Sequence, residues 1–165
     1  MNAKEKQLEF IKTYLKPTLK GFGYKTSGQT WWKDKGEFYT LINLQNFSWN
    51  TKEDVNFCFN IAIVLKAKIG KDKKPSYYDS TTTIREGGYL TEHRNKHSFR
   101  NHSGYVLNTL NNLNHFIDEF KIDFENQILP ELEKLNSIQD CLDFYSKYDF
   151  WFDFLKKDIE KYQIS

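Results

Sequence analysis

Three histidines in one short stretch, His93, His97 and His102, are the residues of this chain best suited by type to hold a metal or move a proton. The spacing of His93 and His97 puts two imidazoles on one face only if the segment is helical, and nothing in it predicts a helix. The acid of a zinc-protease His-Glu-x-x-His is missing between them. Arg94, Lys96 and Arg100 are interleaved with the rings, so positive charge would oppose a bound cation. The stretch therefore reads as a basic loop suited to an anion, with no metal site. Arg85, Arg94 and Arg100 supply forked donors for phosphate or carboxylate. Tyr77, Tyr78 and Tyr89 could stack bases beside them. No ribonucleoprotein signature accompanies them, and an isoelectric point near 8.4 lies below the strongly basic range, which disfavours nucleic acid.

A second polar set is more specific. Asn43 and Gln45 share a parity on one expected strand, and Asn56 and Asn60 share one on the next. Carboxamides on a sheet can bind the polar edge of a ligand, or pair with backbone at a strand end. Arg85 and Trp49 could complete such a site, giving a candidate set of Asn43, Gln45, Trp49, Arg85, Arg94 and Arg100. Phosphate-cradling Gly-x-x-x-x-Gly-Lys-Ser/Thr, Gly-x-Gly-x-x-Gly and Gly-x-Ser-x-Gly motifs are all absent. The acid pairs Glu131/Glu133 and Asp149/Asp153 fall on helix faces that read as solvated. The expected function is a non-enzymatic binding module for a protein or a small anionic ligand, anchored on the basic 66–102 region. The rival is a hydrolase or nucleotide-handling enzyme using Arg85 and the His93, His97 and His102 region. The sequence names no cofactor.

The elements that must position these groups are legible. Val55, Phe57, Phe59, Ile61, Ile63 and Leu65 alternate with Asn56, Cys58, Asn60, Ala62 and Val64, which marks a long strand with one strongly apolar face. Residues 38–49 form a second β-branched and aromatic run, and Thr30, Trp31 and Trp32 a short first strand, so a three-stranded meander is expected over 30–66. Residues 66–80 read as a surface loop. Residues 81–84 have strand character, resumed at Tyr89 and Leu90, and residues 105–107 suit a final strand. Leu8, Ile11, Leu15 and Leu19 recur at helical spacing, with Pro17 kinking the helix or opening its last turn. Leu113, Phe116, Ile117, Phe120, Phe124, Ile128, Leu132 and Leu135 draw one apolar stripe, interrupted by Pro130. Ser137 followed by Asp140 predicts a helix start, and Trp151, Phe154, Leu155 and Ile159 a last helix. The fold class is α+β: one domain over residues 1–165, with a four- or five-stranded antiparallel sheet packed on one face against an N-terminal helix and C-terminal helices.

At 165 residues the chain can build a real core, and although only 39% is hydrophobic, 17% is aromatic, so few large rings suffice to fill it. Cys58 and Cys141 sit among apolar positions and read as buried free thiols. With no signal-peptide core and no apolar run of bilayer length, a soluble cytoplasmic protein without membrane contact is expected. The net charge of +2 conceals a basic middle, +5 over residues 66–102, and an acidic end, −6 over residues 103–165. Pairing between the two within the fold is the expected outcome.

Several short motifs together carry a family resemblance. Leu15-Lys16-Pro17 with Leu19-Lys20, Gly23-Tyr24-Lys25 and Thr30-Trp31-Trp32 form the opening. Asn43-Leu44-Gln45 before Trp49, the run from Phe57 to Ile63, Arg85 with Gly88 and Leu90, and Ile128-Leu129-Pro130-Glu131-Leu132 follow in order. The chain resembles the bacterial domain-of-unknown-function family 4304. That resemblance implies a helix–sheet–helix order and carries no activity with it.

Overall fold

The structure is a computed structural model that describes residues 1–70, 72–162 and 164. Its centre is the alternating segment, which forms β4 (Asp54–Leu65). Strands β2 (Thr30–Asp34) and β3 (Phe38–Asn46) complete the expected meander, with Asn43 opposite Asn60 and Leu41 opposite Ala62. The other edge of β4 is shared. Its N-terminal half pairs with β7 (Gly104–Asn108), and its C-terminal half with β5 (Thr82–Arg85). All pairings are antiparallel.

The sheet has seven strands, more than the four or five expected. The additional ones are β1 (Lys25–Ser27) and β6 (Arg100–Asn101), three and two residues long. Both are polar and too short to show a period of two, so only cross-strand pairing reveals them. The Tyr89–Leu90 strand is also corrected. Glu86–Tyr89 is a 3-10 turn instead, because Gly87 and Gly88 let the chain turn away directly after β5.

Val55, Phe57, Phe59, Ile61, Ile63 and Leu65 all face the helices, as their alternation requires. Against them lie α1 (Ala3–Phe10), α2 (Lys16–Gly21), α4 (Leu113–Asp123), α5 (Leu129–Glu133), α6 (Ile138–Tyr145) and α7 (Asp149–Lys161). The short α3 (Lys66–Ile69) follows β4. Aromatic edges and faces fill the core, with Phe10 meeting Phe120 at 4.8 Å and 77° and Phe116 at 5.1 Å and 89°. Leu8 lies outside the expected stripe and is solvent-exposed, because Ala3, Lys6, Gln7 and the larger Phe10 occupy the inward face of α1. The Lys6 ammonium donates to the carbonyls of Asn108, Thr109 and Asn111, tying α1 to the end of β7.

Pro17 and Pro130 act through the same local device. A π-helical turn, Ile11–Leu15 or Phe124–Ile128, immediately precedes the segment that holds Pro17 or Pro130. The widened turn closes from Lys16 N–H to the Ile11 carbonyl, and from Leu129 N–H to the Phe124 carbonyl. Widening moves the preceding carbonyls away from the proline ring, so each helix continues through its proline. Ser137 caps α6 as its spacing predicts, its hydroxyl accepting from Asp140 N–H at 3.1 Å while the Asp140 carboxylate accepts from Ser137 N–H at 3.0 Å. Ser137→Ala is expected to cost about 1 kcal/mol. In a scanning-calorimetry trace that is a fall in Tm of about 2–4 °C; an unchanged Tm would show the cap to be dispensable.

The second sheet face is only half covered. Trp32, Leu41, Ala62 and Val64 form a small apolar cluster under Tyr39, Ile69 and Tyr77, which come from β3, α3 and the following loop. Beyond that cluster the same face turns polar.

Candidate functional site

The polar half of this face is a consequence of register. Asn43 on β3 is opposite Asn60 on β4, and Asn60 is opposite Arg85 on β5; Gln45 is opposite Cys58 one step further along. Side chains in directly opposed positions share a face, so Asn43, Gln45, Asn60 and Arg85 are neighbours. Asn60 donates to Gln45 Oε1 at 2.9 Å and to Asn43 Oδ1 at 3.3 Å, and Asn43 donates to Thr30 Oγ1 at 3.0 Å. Phe47 continues the parity of Asn43 and Gln45. The Arg85 guanidinium lies 5.7 Å from its ring centre, and Trp49 stacks on that ring at 4.6 Å with the planes 4° apart. Arg85 is exposed, and among the described residues no carboxylate pairs with it.

Next to Arg85 the sheet splits. The β5 partners of β4 begin at Asn60 and the β7 partners end at Phe57, which leaves Cys58 and Phe59 between the two strands. Glu86 enters this gap. Its Oε2 accepts the Phe59 N–H at 3.3 Å, in the place of a strand carbonyl, and its Oε1 accepts from Arg100 at 3.2 Å. Gly104 closes the other side, so near to Phe57 and Cys58 that a β-carbon there would overlap the Phe57 carbonyl oxygen. The result is a polar cleft of about 550 Å³, whose walls include Arg85, Glu86, Asn95, Arg100, His102 and Ser103.

Arg100 is 5% exposed and lies 4.4 Å over the Tyr105 ring. Its guanidinium donates to Glu86 and to Asn95 Oδ1 at 3.1 Å, while its Nε is buried without a partner among the described residues. Burial pushes the Glu86 carboxyl above the usual carboxylate range even though Arg100 and the Phe59 N–H pull it down. For a carboxyl raised in this way, the stability tied to its protonation is complete below the unfolded value and is lost as pH rises through the folded one.

The third cluster holds the loop that carries Arg100. Asp123 is fully buried and accepts three bonds: from Arg94 Nε at 2.6 Å, His97 Nε2 at 2.8 Å and Tyr105 Oη at 2.8 Å. Arg94 also donates to the carboxylate of Glu119 at 2.8 Å and to its backbone carbonyl at 2.9 Å. Burial raises the Asp123 carboxyl, but the bonds from His97, Arg94 and Tyr105 outweigh it and hold the group below the ordinary value. His97 Nδ1 accepts the Phe99 N–H at 3.3 Å, so Nε2 carries the proton toward Asp123 and both ring nitrogens are engaged. His93 and His102 are exposed.

The structure thus brings Asn43, Gln45 and Arg85 together, with Trp49 joined through Phe47. Arg100 lies behind Glu86 in the adjoining cleft. Arg94 is separate, bound to α4. Its pairs with Asp123 and Glu119, and the 3.2 Å pair of Lys68 with Asp158, are the expected bonding of the basic middle to the acidic end. Sequence reasoning missed Phe47, Glu86, Tyr105 and Asp123. Only Asp123 left a signal: an acid three residues after Phe120 lies on the apolar stripe of α4. Cys58 and Cys141 are buried free thiols, pushed up by burial to about 11 and about 12.

Taken together, the molecule is an α+β protein with an open antiparallel sheet, helices on one face and a polar, arginine-bearing site on the other. Residues 15–134, most of the chain, match the family described as "Domain of unknown function (DUF4304)", and the chain belongs to that family. No curated protein and no solved structure matches it. Among the described residues, no helix is long and apolar enough to cross a membrane, and no three His, Cys, Asp or Glu side chains are grouped as metal ligands.

Proposed function

We propose that this protein is a non-enzymatic binding module for a small anionic ligand, held on the uncovered sheet face at the mouth of the cleft. The observation that carries this reading is Arg85. Its guanidinium is exposed and without a carboxylate partner among the described residues, while Arg94 and Arg100 are spent on Asp123, Glu119 and Glu86. An arginine held by its strand between carboxamides and a polar cleft offers two parallel donors to a phosphate or carboxylate. Asn43, Gln45 and Trp49 line its approach. Arg100 adds positive potential from behind Glu86, and Arg94 positions the 94–101 loop through Asp123. A binding role asks for no proton transfer, and His97, the histidine built into the fold, has both nitrogens engaged.

Isothermal titration with orthophosphate, pyrophosphate and citrate tests this, with a neutral sugar as control. Arg85→Ala is expected to weaken the best of these anions at least tenfold, as loss of a charged hydrogen bond of about 1.5–3 kcal/mol requires, while leaving Tm unchanged. Lys121→Ala, an exposed lysine on the helical side, should bind as the parent does. Undetectable binding of every anion, or equal affinity in Arg85→Ala, would sink the proposal.

A further inference from the structure

We infer that the anion is a purine nucleotide: its phosphate on Arg85, its base on the Trp49 ring and its hydrogen-bonding edge on Gln45 and Asn60. This rests on the anion-binding reading and adds the other half of the ligand. Three observations besides Arg85 point to a flat, polar-edged ring.

The first is Trp49. It is 58% exposed although it is one of the largest apolar side chains, and its position is set by parallel stacking on Phe47. An exposed indole offers a flat stacking surface, and a base is a flat partner of matching size. The second is distance. Arg85 lies 5.7 Å from the Phe47 ring centre, and that ring lies 4.6 Å from Trp49, so cation and stacking platform belong to one continuous surface. A phosphate and the base of the same nucleotide are separated by one sugar, which suits those two steps. An aliphatic dicarboxylate would satisfy the arginine and leave the rings bare.

The third is the unspent bonding of the carboxamides. Gln45 uses its Oε1 to accept from Asn60, and Cys58 Sγ also points to it at 3.9 Å; its amide N–H₂ has no partner among the described residues. Asn60 uses its N–H₂ on Asn43 and Gln45, and its Oδ1 is likewise unpartnered. One donor and one acceptor therefore remain on this face. Adenine presents the complement along one edge, N7 as acceptor and the N6 amino group as donor, the pattern that carboxamides read in nucleic acids. The histidines and the buried thiols have no part in this.

The test compares adenosine 5′-monophosphate with ribose 5-phosphate, which keeps the sugar and phosphate and lacks the base. Titrations use the full chain, its Trp49→Ala form and its Trp49→Phe form. Adenosine 5′-monophosphate is expected to bind at least tenfold more tightly than ribose 5-phosphate to the parent. Trp49→Ala should abolish that difference, and Trp49→Phe should restore part of it. Trp49 is mostly exposed, so the fold tolerates both changes. Equal affinity of the parent for the two ligands would overturn the nucleotide inference and leave anion binding standing. A difference that survives in Trp49→Ala would overturn the assignment of the base to that ring. Failure of both ligands, together with orthophosphate and pyrophosphate, would remove the anion site itself.

Discussion

Replacing Asp123 with alanine is expected to lower stability by about 3–5 kcal/mol, the cost of breaking a buried ion pair from one side. At this chain length that is a fall in Tm of roughly 10 °C. The carboxylate is fully buried and accepts from Arg94, His97 and Tyr105 together, so its removal strands three donors at once. Asp123→Asn keeps the shape and should still lose most of this, because the amide cannot balance Arg94. The pH dependence separates charge from packing. The Asp123 carboxyl is held below its unfolded value, so its contribution is present above about pH 4 and is lost as pH falls through the folded value. The gap in Tm between the parent and Asp123→Ala should therefore narrow from pH 7 to pH 3 in scanning calorimetry. A gap that stayed constant would mean that the loss is one of packing, with little charge in it. The effect should also reach the proposed anion site. Arg94 and His97 anchor the loop that ends in Arg100, and Tyr105 lies between Asp123 and Arg100.

Gly104→Ala should be the next most damaging single change, at about 3 kcal/mol. Its backbone has φ +143°, in the region that side chains avoid, and the new β-carbon would overlap the Phe57 carbonyl oxygen. The same carbon would stand 3.0 Å from Cys58 Cβ and 3.1 Å from Glu86 Oε1. The first obstacle is backbone of the central strand, which cannot swing aside as a side chain can. Relief would have to come from the β4–β7 pairing or from displacing Glu86, and either opens the cleft beside Arg85. A drop in Tm of about 6–12 °C and weaker anion binding are expected together. Gly21→Ala is the matched control: nothing lies within 4 Å of the new carbon, so no loss of stability is expected there. Gly104→Ala and Gly21→Ala melting alike would show that the gap between β5 and β7 can relax freely.

How far this could be read from the chain alone differs from element to element. The long strand, its buried parity and the meander around it follow from residues 38–65, because a period of two leaves only one way to bury Phe57, Phe59 and Ile61. Ser137 with Asp140 announced the start of α6, since both partners of a capping box lie within one turn. The aromatic stripe of α4 was equally clear. These are local patterns, and local chemistry determines them. The site is of another kind. That Asn43 and Gln45 share a face is visible in their parity, but Arg85 joins them only through the pairing of Asn60 with Arg85, across a long loop that fixes no register. Arg94 and Arg100 looked equivalent to Arg85 as basic loop residues. Tertiary structure separates them by placing Asp123 and Glu86, 29 and 14 residues away, against two of the three. The division of β4's edge between β5 and β7, and the cleft it leaves, depend on where two non-consecutive strands stop. No side-chain period records that, because contacts between distant segments are selected by the packing of the whole sheet rather than by the residues that line the gap.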